Sequence, residues 1–368
     1  MSSEIGNMLH LSVFGESHGR GIGAVIDGLP AGARIDFDEL QRFCDRRRPG
    51  SSHLATARRE TDVPEFVSGL HEEVTTGFPL CFLIRNADVR SGDYAGFTDT
   101  PRPSHADFTA AVRYGGHADM RGSGHFSGRL TAPLCVAGGI ARQLLARRGV
   151  LVGAHLRAVG DVEDKPFDSR HLDGRELMAP GKRSFPVISE EAGQRMQELI
   201  EQVRAEGDSV GARVECAVTG LPTGLGSPMF DGVENRLAAA LFGIPAVKGV
   251  SFGAGFDASR MRGSEHNDPF VMCDGRVTCS KNDAGGVLGG ITTGMPVVFE
   301  VAFKPTPSIG MPQRTVSLSA GREVDLEIRG RHDPCVGLRA VPVCEAVAAF
   351  VILDLMMEGD ANGTVRNP

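Results

Sequence analysis

The chain has 368 residues, of which 41% are hydrophobic, and this is enough apolar material for one large core or two fused ones. A disordered chain is therefore excluded as the default. The formal net charge of −7 argues against nucleic acid or a membrane surface as a partner, and the absence of Trp with only two Tyr leaves little for base stacking. Any anion site must come from a local basic cluster.

The N-terminal segment MSSEIGNMLHLSVFGESHG has no basic stretch followed by an apolar one, so secretion is not indicated. Eight cysteines contain no CxxC pair, and we expect reduced, buried thiols in a cytoplasmic protein without a metal site. The most apolar stretch, AVPVCEAVAAFVILDLMM, is interrupted by Pro and by charge and predicts a buried helix, not a membrane span.

Apolar segments and glycine turns alternate at residues 9–35 and predict strand, loop, strand and turn. Asp36 then begins a helix that ends at Arg48, before Pro49. Residues 127–149 are mostly small and apolar and predict a helix buried on nearly all sides.

A surface helix is predicted at residues 189–207, where Ser189 suits the start and Gly207 the end. Its apolar stripe consists of Met196, Leu199, Ile200 and Val203. Residues 356–368 predict a loose polar tail after a single domain of residues 1–355.

One short pattern occurs twice. VTGLPTG at 218–224 matches IDGLPAG at 26–32, and each precedes an acidic helix start, at Asp231 and at Asp36. Internal duplication and coincidence are both open explanations. The glycines at 19, 21 and 23 have the wrong spacing for a Rossmann dinucleotide fingerprint, which disfavours a nicotinamide-binding domain.

Two motifs in the first sixty residues could carry chemistry. In GESHGRG, Ser17 and His18 lie in a glycine-flanked loop, and a histidine there suits proton donation, although a structural hydrogen bond is the alternative. The second motif is a cluster of guanidinium groups, which suit carboxylates and phosphates, with a solvated helix end as the alternative. It consists of Arg46, Arg47, Arg48, Arg58 and Arg59.

Two further motifs follow in the middle of the chain. RPSHADFT offers His105 as an acid or base, or simply a capped helix start with Asp107 in its first turn. In MRGSGHFSGR, His125, Ser127 and Arg129 stand among glycines at the start of the small-residue helix. Exposed backbone N–H groups there could bind an anion or the edge of a flavin, and a tight turn is the alternative.

The last two motifs lie beyond residue 280. NDAGGVLGG is followed by FKPTPSIG, in which Lys304, Thr306 and Ser308 alternate as a grip for a phosphate monoester, or form an ordinary loop. RGRHDPCVG places arginines beside Asp333. The arginines and the carboxylate could together hold a ligand, or Asp333 could simply cap the next helix.

Taken in this order, the blocks GESHG, RRRPG, RPSHAD, GSGHFSGR, NDAGG, KPTPSI and RHDPC resemble those of the chorismate synthase family, from residue 6 to about residue 355. The resemblance implies an α+β fold, namely a β-α-β sandwich of helices between antiparallel sheets with internal pseudo-duplication. It also implies a homotetramer. The matching GLPxG units agree with such a duplication.

The resemblance implies a carbon–oxygen lyase acting on phosphates. Such enzymes eliminate phosphate from 5-enolpyruvylshikimate 3-phosphate to give chorismate in the shikimate pathway, and they require reduced FMN although no net redox change occurs. We expect an external flavin reductase or other reductant; a member that reduces its own flavin with NADPH is one alternative. A scaffold that binds anions or RNA and has lost catalysis is the other.

Residue roles are also implied by the resemblance. His18 corresponds to the acid that protonates the departing phosphate, His105 to the group beside the reduced flavin, and Asp333 with Ser17 to a proton-relay pair. The implied substrate contacts are Arg47, Arg48, His53, Arg129, Arg339 and Ser127. The implied cofactor contacts are His125, Phe126, Ser127, Pro245, Ala246, Gly289, Lys304, Pro305, Thr306, Pro307, Ser308 and Arg331. His53 and Pro245 depart from the residues that many members carry.

Overall fold

Two five-stranded antiparallel sheets frame the structure, a computed structural model that describes residues 3–50, 54, 58, 60–88, 96–328 and 333–363. The strands of the first half are β1 (Glu4–Ile5), β2 (His10–Gly15), β3 (Gly21–Asp27), β4 (Glu65–Ser68), β5 (Leu70–His71), β6 (Val74–Thr75) and β7 (Leu80–Arg85). Those of the second half are β8 (Leu151–Val159), β9 (Val162–Glu163), β10 (Ala212–Thr219), β11 (Val247–Phe252), β12 (Phe270–Cys273), β13 (Arg276–Cys279), β14 (Val287–Leu288), β15 (Ile291–Thr292), β16 (Val297–Phe303), β17 (Gln313–Ser317) and β18 (Arg322–Leu326).

Eight α-helices accompany these strands in the described residues. They are α1 (Phe37–Arg47), α2 (Asp107–Tyr114), α3 (Thr131–Ala146), α4 (Gly174–Met178), α5 (Glu190–Ala205), α6 (Val233–Leu241), α7 (Gly263–His266) and α8 (Gly337–Ala361).

The two large sheets have the same order of strands except at one edge, where β1 precedes β2 in the chain but β9 follows β8. The first has the order β1-β2-β3-β7-β4 and the second β11-β16-β10-β8-β9, so β3 and β10 are the central strands. Ile26 of β3 lies opposite Leu80, and Val218 of β10 lies opposite Val297. Every strand pairing in the described residues is antiparallel, as the predicted fold class requires.

Helices fill the space between the sheets. Helix α3 contacts β2 and β3 of the first sheet, helix α8 contacts β8 and β10 of the second, and the two helices pack on each other. At their crossing, a Cβ on Gly138 would overlap the backbone of Ala346, so glycine allows this close approach. The predicted α+β sandwich of helices between antiparallel sheets is confirmed.

The repeated GLPxG units form equivalent turns. The Thr75 hydroxyl donates to the Pro30 carbonyl (2.6 Å) and accepts from the Ala33 amide (2.9 Å). In the second half, the Thr292 hydroxyl donates to the Pro222 carbonyl (2.7 Å) and accepts from the Leu225 amide (2.9 Å). The two short sequences therefore match in structure as well, which favours duplication over coincidence.

Helix α8 is long and apolar enough to cross a membrane, but 94% of its apolar window is buried inside the protein. This is the buried helix that the sequence predicts. It continues to Ala361, so the prediction that a loose tail begins at residue 356 is wrong at its start. Met356 is only 3% exposed, because the apolar face of the helix still contacts the core there.

The two predicted helix starts differ in outcome. Asp36 caps α1, and its carboxylate accepts from the Glu39 amide at 2.8 Å. Asp231 instead ends a 3₁₀ turn, and α6 begins after Gly232. Helix α5 lies where predicted, with Ser189 as its cap.

All eight cysteines are free thiols. Six are buried, as expected, and Cys81 is half-buried. Cys273 is exposed on β12, which contradicts the expectation that the cysteines are buried, because this strand belongs to a two-stranded hairpin with an open face.

Candidate active site

A cavity of about 660 Å³ lies at the strand ends opposite the GLPxG turns, and its size suits a cofactor with a small substrate. Ser17 follows the end of β2, and Lys304 follows the end of β16, so both sheets contribute. The polar lining residues are Ser17, Arg58, Arg102, Ser104, His105, Ser123, His125, Ser127, Arg129, Thr131, Lys248, Lys304, Thr306, Ser308, Asp333 and Arg339. Cations and hydroxyls predominate, which suits anionic ligands.

Several non-glycine residues at this cavity have left-handed backbone angles. Ser104 has φ 57°, Ser123 has φ 73° and Ala246 has φ 74°, and all three line the cavity. Asp62, beside Arg129, has φ 52°. Such conformations cost of order 1 kcal/mol or more each and concentrate at functional sites.

Two arginines of the cavity wall are held by buried carboxylates. Arg58 donates to Glu60 (2.7 and 3.0 Å) and to the Ser17 hydroxyl (2.9 Å). Arg129 donates to Asp62 and, at 3.0 Å, to Asn86. Burial opposes ionisation of Asp62, but Arg47 and Arg129 outweigh it and hold the pKa of this carboxyl below its usual value. The guanidinium groups are thus fixed before any ligand binds.

Arg47 lies behind the cavity wall and does not line the cavity, contrary to the predicted substrate contact. Its side chain is 1% exposed and pairs with Asp62 at 3.0 Å, and burial lowers its pKa to about 10. Its backbone carbonyl accepts from Arg339 at 3.0 Å. In this structure Arg47 supports the arginines that face the cavity.

Arg48 is also absent from the lining, contrary to its predicted substrate contact, and its side chain instead pairs with Asp45 at 3.5 Å. Arg46 forms a bidentate pair with the buried Glu345 (2.6 and 2.8 Å) and does not line this cavity.

His105 is part of a buried network. Its Nδ1 lies 2.8 Å from Asp107, and Arg102 donates twice to the same carboxylate at 2.8 Å. Asp107 is the first residue of α2, but its side chain does not cap the helix. Burial raises the pKa of Asp107, and the hydrogen bonds from Arg102 and His105 outweigh this and hold it far below its usual range.

His18 is 8% exposed and lies behind the lining residue Gly122, where a Cβ would overlap the imidazole ring. The predicted acid is therefore not itself a lining residue, but its ring lies against a glycine that is. His125 lines the cavity with both nitrogens occupied, Nδ1 by the Gly15 carbonyl (2.8 Å) and Nε2 by the Ser3 hydroxyl (2.8 Å).

Lys304, Thr306 and Ser308 line the cavity, whereas Pro305 does not, contrary to its predicted cofactor contact. The Thr306 hydroxyl is buried and has no hydrogen-bond partner among the described residues. Burial and the neighbouring Lys248 lower the pKa of Lys304. A buried free hydroxyl between cations is suited to an anionic oxygen.

Asp333 and Arg339 line the cavity as an ion pair, with 2.7 Å between Asp333 Oδ2 and Arg339 Nη1. Phe126, Ser127, Pro245, Ala246 and Pro307 line it too. His53 and Arg331 lie outside the described residues.

Gly289 was predicted to contact the cofactor, but it does not line the cavity. It lies in the tight turn between β14 and β15 with φ 61°, and this backbone angle explains the glycine.

Sequence reasoning missed Arg102, Glu60, Asp62 and Lys248. Arg102 and Asp107 flank His105 in RPSHAD, and this spacing of opposite charges was the available signal. Glu60 and Asp62 follow the arginine cluster, but their burial could not be read from the local pattern.

Comparison with known proteins agrees with this geometry. The sequence model of the family described as Chorismate synthase matches residues 9–357. Proteins named Chorismate synthase from Korarchaeum cryptofilum and Thermococcus gammatolerans are 47% and 48% identical over 352 and 362 residues. These alignments cover 96% and 98% of this chain and 96% and 99% of the relatives.

A solved structure entitled "Crystal Structure of Chorismate Synthase" superposes with a TM-score of 0.76 at 26% identity, covering 96% of this chain and 93% of that one. The chain therefore belongs to the chorismate synthase family and is a lyase of aromatic amino acid biosynthesis.

Proposed function

We propose that this enzyme eliminates phosphate from 5-enolpyruvylshikimate 3-phosphate to give chorismate and depends on reduced FMN. The observation that carries the proposal is a cavity whose cations and hydroxyls come from both sheets and match a substrate with two carboxylates and a phosphate.

One group of the lining residues fits the phosphate of FMN. Lys304 and Lys248 supply positive charge, and the buried Thr306 hydroxyl lacks a partner in the described part of the chain. Pro245 and Ala246, with Phe126, would bound the isoalloxazine ring. When bound, reduced FMN would supply the electron density that assists C–O cleavage and removal of the C6 hydrogen.

A second group, the arginines of the lining, suits the substrate anions. Arg58, Arg129 and Arg339 each contact a carboxylate of the protein, namely Glu60, Asp62 and Asp333. These contacts fix the guanidinium groups in advance, so substrate binding does not have to order flexible side chains. Ser17 and Ser127 add hydroxyl donors beside them.

Two histidines and one carboxylate handle protons in this proposal. His18 protonates the departing phosphate, and His105 holds a proton beside the flavin. Asp333, with Ser17, relays the proton that leaves the substrate. His18 would act past Gly122, whose missing side chain leaves the imidazole ring close to the cavity.

The wider setting is part of the same proposal. The enzyme is a cytoplasmic homotetramer that receives reduced flavin from an external reductase or other reductant. A member that reduces its own flavin with NADPH is the alternative, and the assay below separates the two.

The test measures phosphate release from 5-enolpyruvylshikimate 3-phosphate by the purified protein under anaerobic conditions. We expect release with chemically reduced FMN and none without it. A further sample contains oxidised FMN and NADPH alone; release there would show that the enzyme reduces its own flavin with NADPH and needs no separate flavin reductase. Absence of release when reduced FMN is bound contradicts the proposed reaction.

A further inference from the structure

His105 is surrounded by a carboxylate and a guanidinium that compete for one ring nitrogen. Nδ1 lies 2.8 Å from Asp107 Oδ1 and 3.1 Å from Arg102 Nη2. A guanidinium can only donate, and an ionised carboxylate can only accept. The proton on Nδ1 therefore decides which of the two contacts is a hydrogen bond.

Asp107 receives a full set of donors only if Nδ1 carries a proton. Its Oδ2 accepts from the Arg102 backbone amide (3.0 Å) and from Nε (2.8 Å), and its Oδ1 accepts from Arg102 Nη2 (2.8 Å). His105 Nδ1 is the fourth donor. Without that proton, two acceptor atoms would face each other at 2.8 Å in a buried site.

Arg102 does not need His105 as an acceptor. Its Nη2 hydrogens are used by Asp107 and by the Ser123 hydroxyl at 3.1 Å, and Nη1 donates to the Ser308 hydroxyl at 3.0 Å. Arg102 and Asp107 are 4% and 5% exposed, so the pair is buried.

The second ring nitrogen of His105 is left for a ligand. Nε2 has no hydrogen-bond partner among the described residues, and His105 lines the cavity with 13% of its side chain exposed. Lys304 donates to the carbonyl of Ser104, the residue before His105.

We propose that Arg102 and Asp107 are positioning residues that keep the proton of the neutral His105 ring on Nδ1, so that Nε2 alone exchanges a proton with a bound molecule. This inference rests on the proposed function of His105. It adds a fixed tautomer and names the residues that impose it.

The direct test is NMR of protein labelled with ¹⁵N in the histidine rings, without substrate or flavin, at a pH where His105 is neutral. The His105 signal is assigned by its loss in His105→Gln. We expect the wild-type ring to carry its proton on Nδ1. A proton on Nε2 would overturn the proposal, whatever the variants do.

Asp107→Asn is the informative variant. The Asn side chain has only one acceptor oxygen. If this oxygen accepts from the Arg102 amide and from Arg102 Nε, the NH₂ group of the Asn side chain faces His105 Nδ1. We expect the proton to move to Nε2 and kcat to fall at least about 10²-fold with little change in KM. An unchanged tautomer with unchanged kcat would overturn the proposal.

Asp354→Asn is the matched control. Asp354 is 1% exposed, accepts from the amides of Asn7, Met8 and Leu9 and pairs with Arg236, so it too has four donors. We expect it to lose stability and leave the His105 signal unchanged. Because the wild-type spectrum needs no turnover, a failure of the proposed reaction is distinguishable from a failure of this inference.

Discussion

The two halves of the protein are alike at one end of their central strands, β3 and β10, and different at the other end. At the GLPxG ends, Thr75 and Thr292 make the same pair of hydrogen bonds in both halves. At the opposite ends the halves supply different groups, with Ser17 after β2 and Lys304 after β16. The duplicated ends maintain the fold, and the diverged ends form the cavity.

The second sheet also carries a buried charge cluster that includes a histidine. His155, fully buried on β8, bonds Asp164 (3.2 Å) and Glu215 (2.7 Å). At the matching position of the first sheet, Phe14 lies opposite Gly23. Divergence between the halves therefore extends beyond the cavity, and each end can be tested separately.

The largest effect is expected at the cavity end. His105→Ala and His18→Ala should each lower kcat by about 10² to 10⁴-fold, because a positioned acid or base contributes about this much. The anaerobic phosphate-release assay measures kcat, and circular dichroism checks the fold. His10→Ala, at an exposed site on β2, is the control. Full activity in either cavity variant would remove that histidine from the mechanism.

The second effect is expected at the duplicated end and concerns stability. Thr75→Val and Thr292→Val each remove two hydrogen bonds made by the hydroxyl of a buried threonine, so each should lower the free energy of unfolding by about 1–3 kcal/mol. Both should keep kcat. Urea unfolding measures the loss.

The exposed Thr223, whose hydroxyl makes one bond to the Thr293 carbonyl, provides the control Thr223→Val. It should cost less than either buried substitution. Clearly unequal losses at Thr75 and Thr292 would show that the two turns are not energetically equivalent.

The smallest effect is a pH dependence from His155. Burial opposes its charge, but the hydrogen bonds to Asp164 and Glu215 outweigh this and raise its pKa. Its contribution to stability is therefore complete below the unfolded-state pKa and is lost as the pH rises through the folded-state pKa. The slope is at most about 1.4 kcal/mol per pH unit.

Urea unfolding of wild type and His155→Gln checks this, at pH values that start below the ordinary histidine pKa of 6.5 and rise from there. The variant should show a flatter decline of the free energy of unfolding. Parallel curves would mean that His155 is neutral in the folded protein near neutral pH.

Local patterns predicted much of the fold. Asp36 and Ser189 cap helices where expected, and GLPxG marked equivalent turns. The pairing of the sheets needs contacts far apart in sequence, which periodicity does not report. The extent of α8 was missed because its last turns, polar in composition, still bury Met356.

The sequence predicted the type of site, a cavity for anionic ligands, better than it predicted which residues line it. Residues such as Lys304, Thr306 and His105 reach the cavity as their motifs indicated. Arg47 does not, because a buried arginine and a ligand-binding arginine have the same local sequence signal; only the position of Asp62 separates them. The roles of these residues remain predictions.

Helix α8 has a consequence for the order in which the protein is completed during translation. Its Asp354 accepts the amides of Asn7, Met8 and Leu9, and its Arg339 forms part of the cavity wall. A nascent chain on the ribosome that has not yet added residues 337–361 lacks both. The three amides before β2 therefore gain their acceptor, and the cavity gains the Arg339 part of its wall, only after helix α8 has been synthesised.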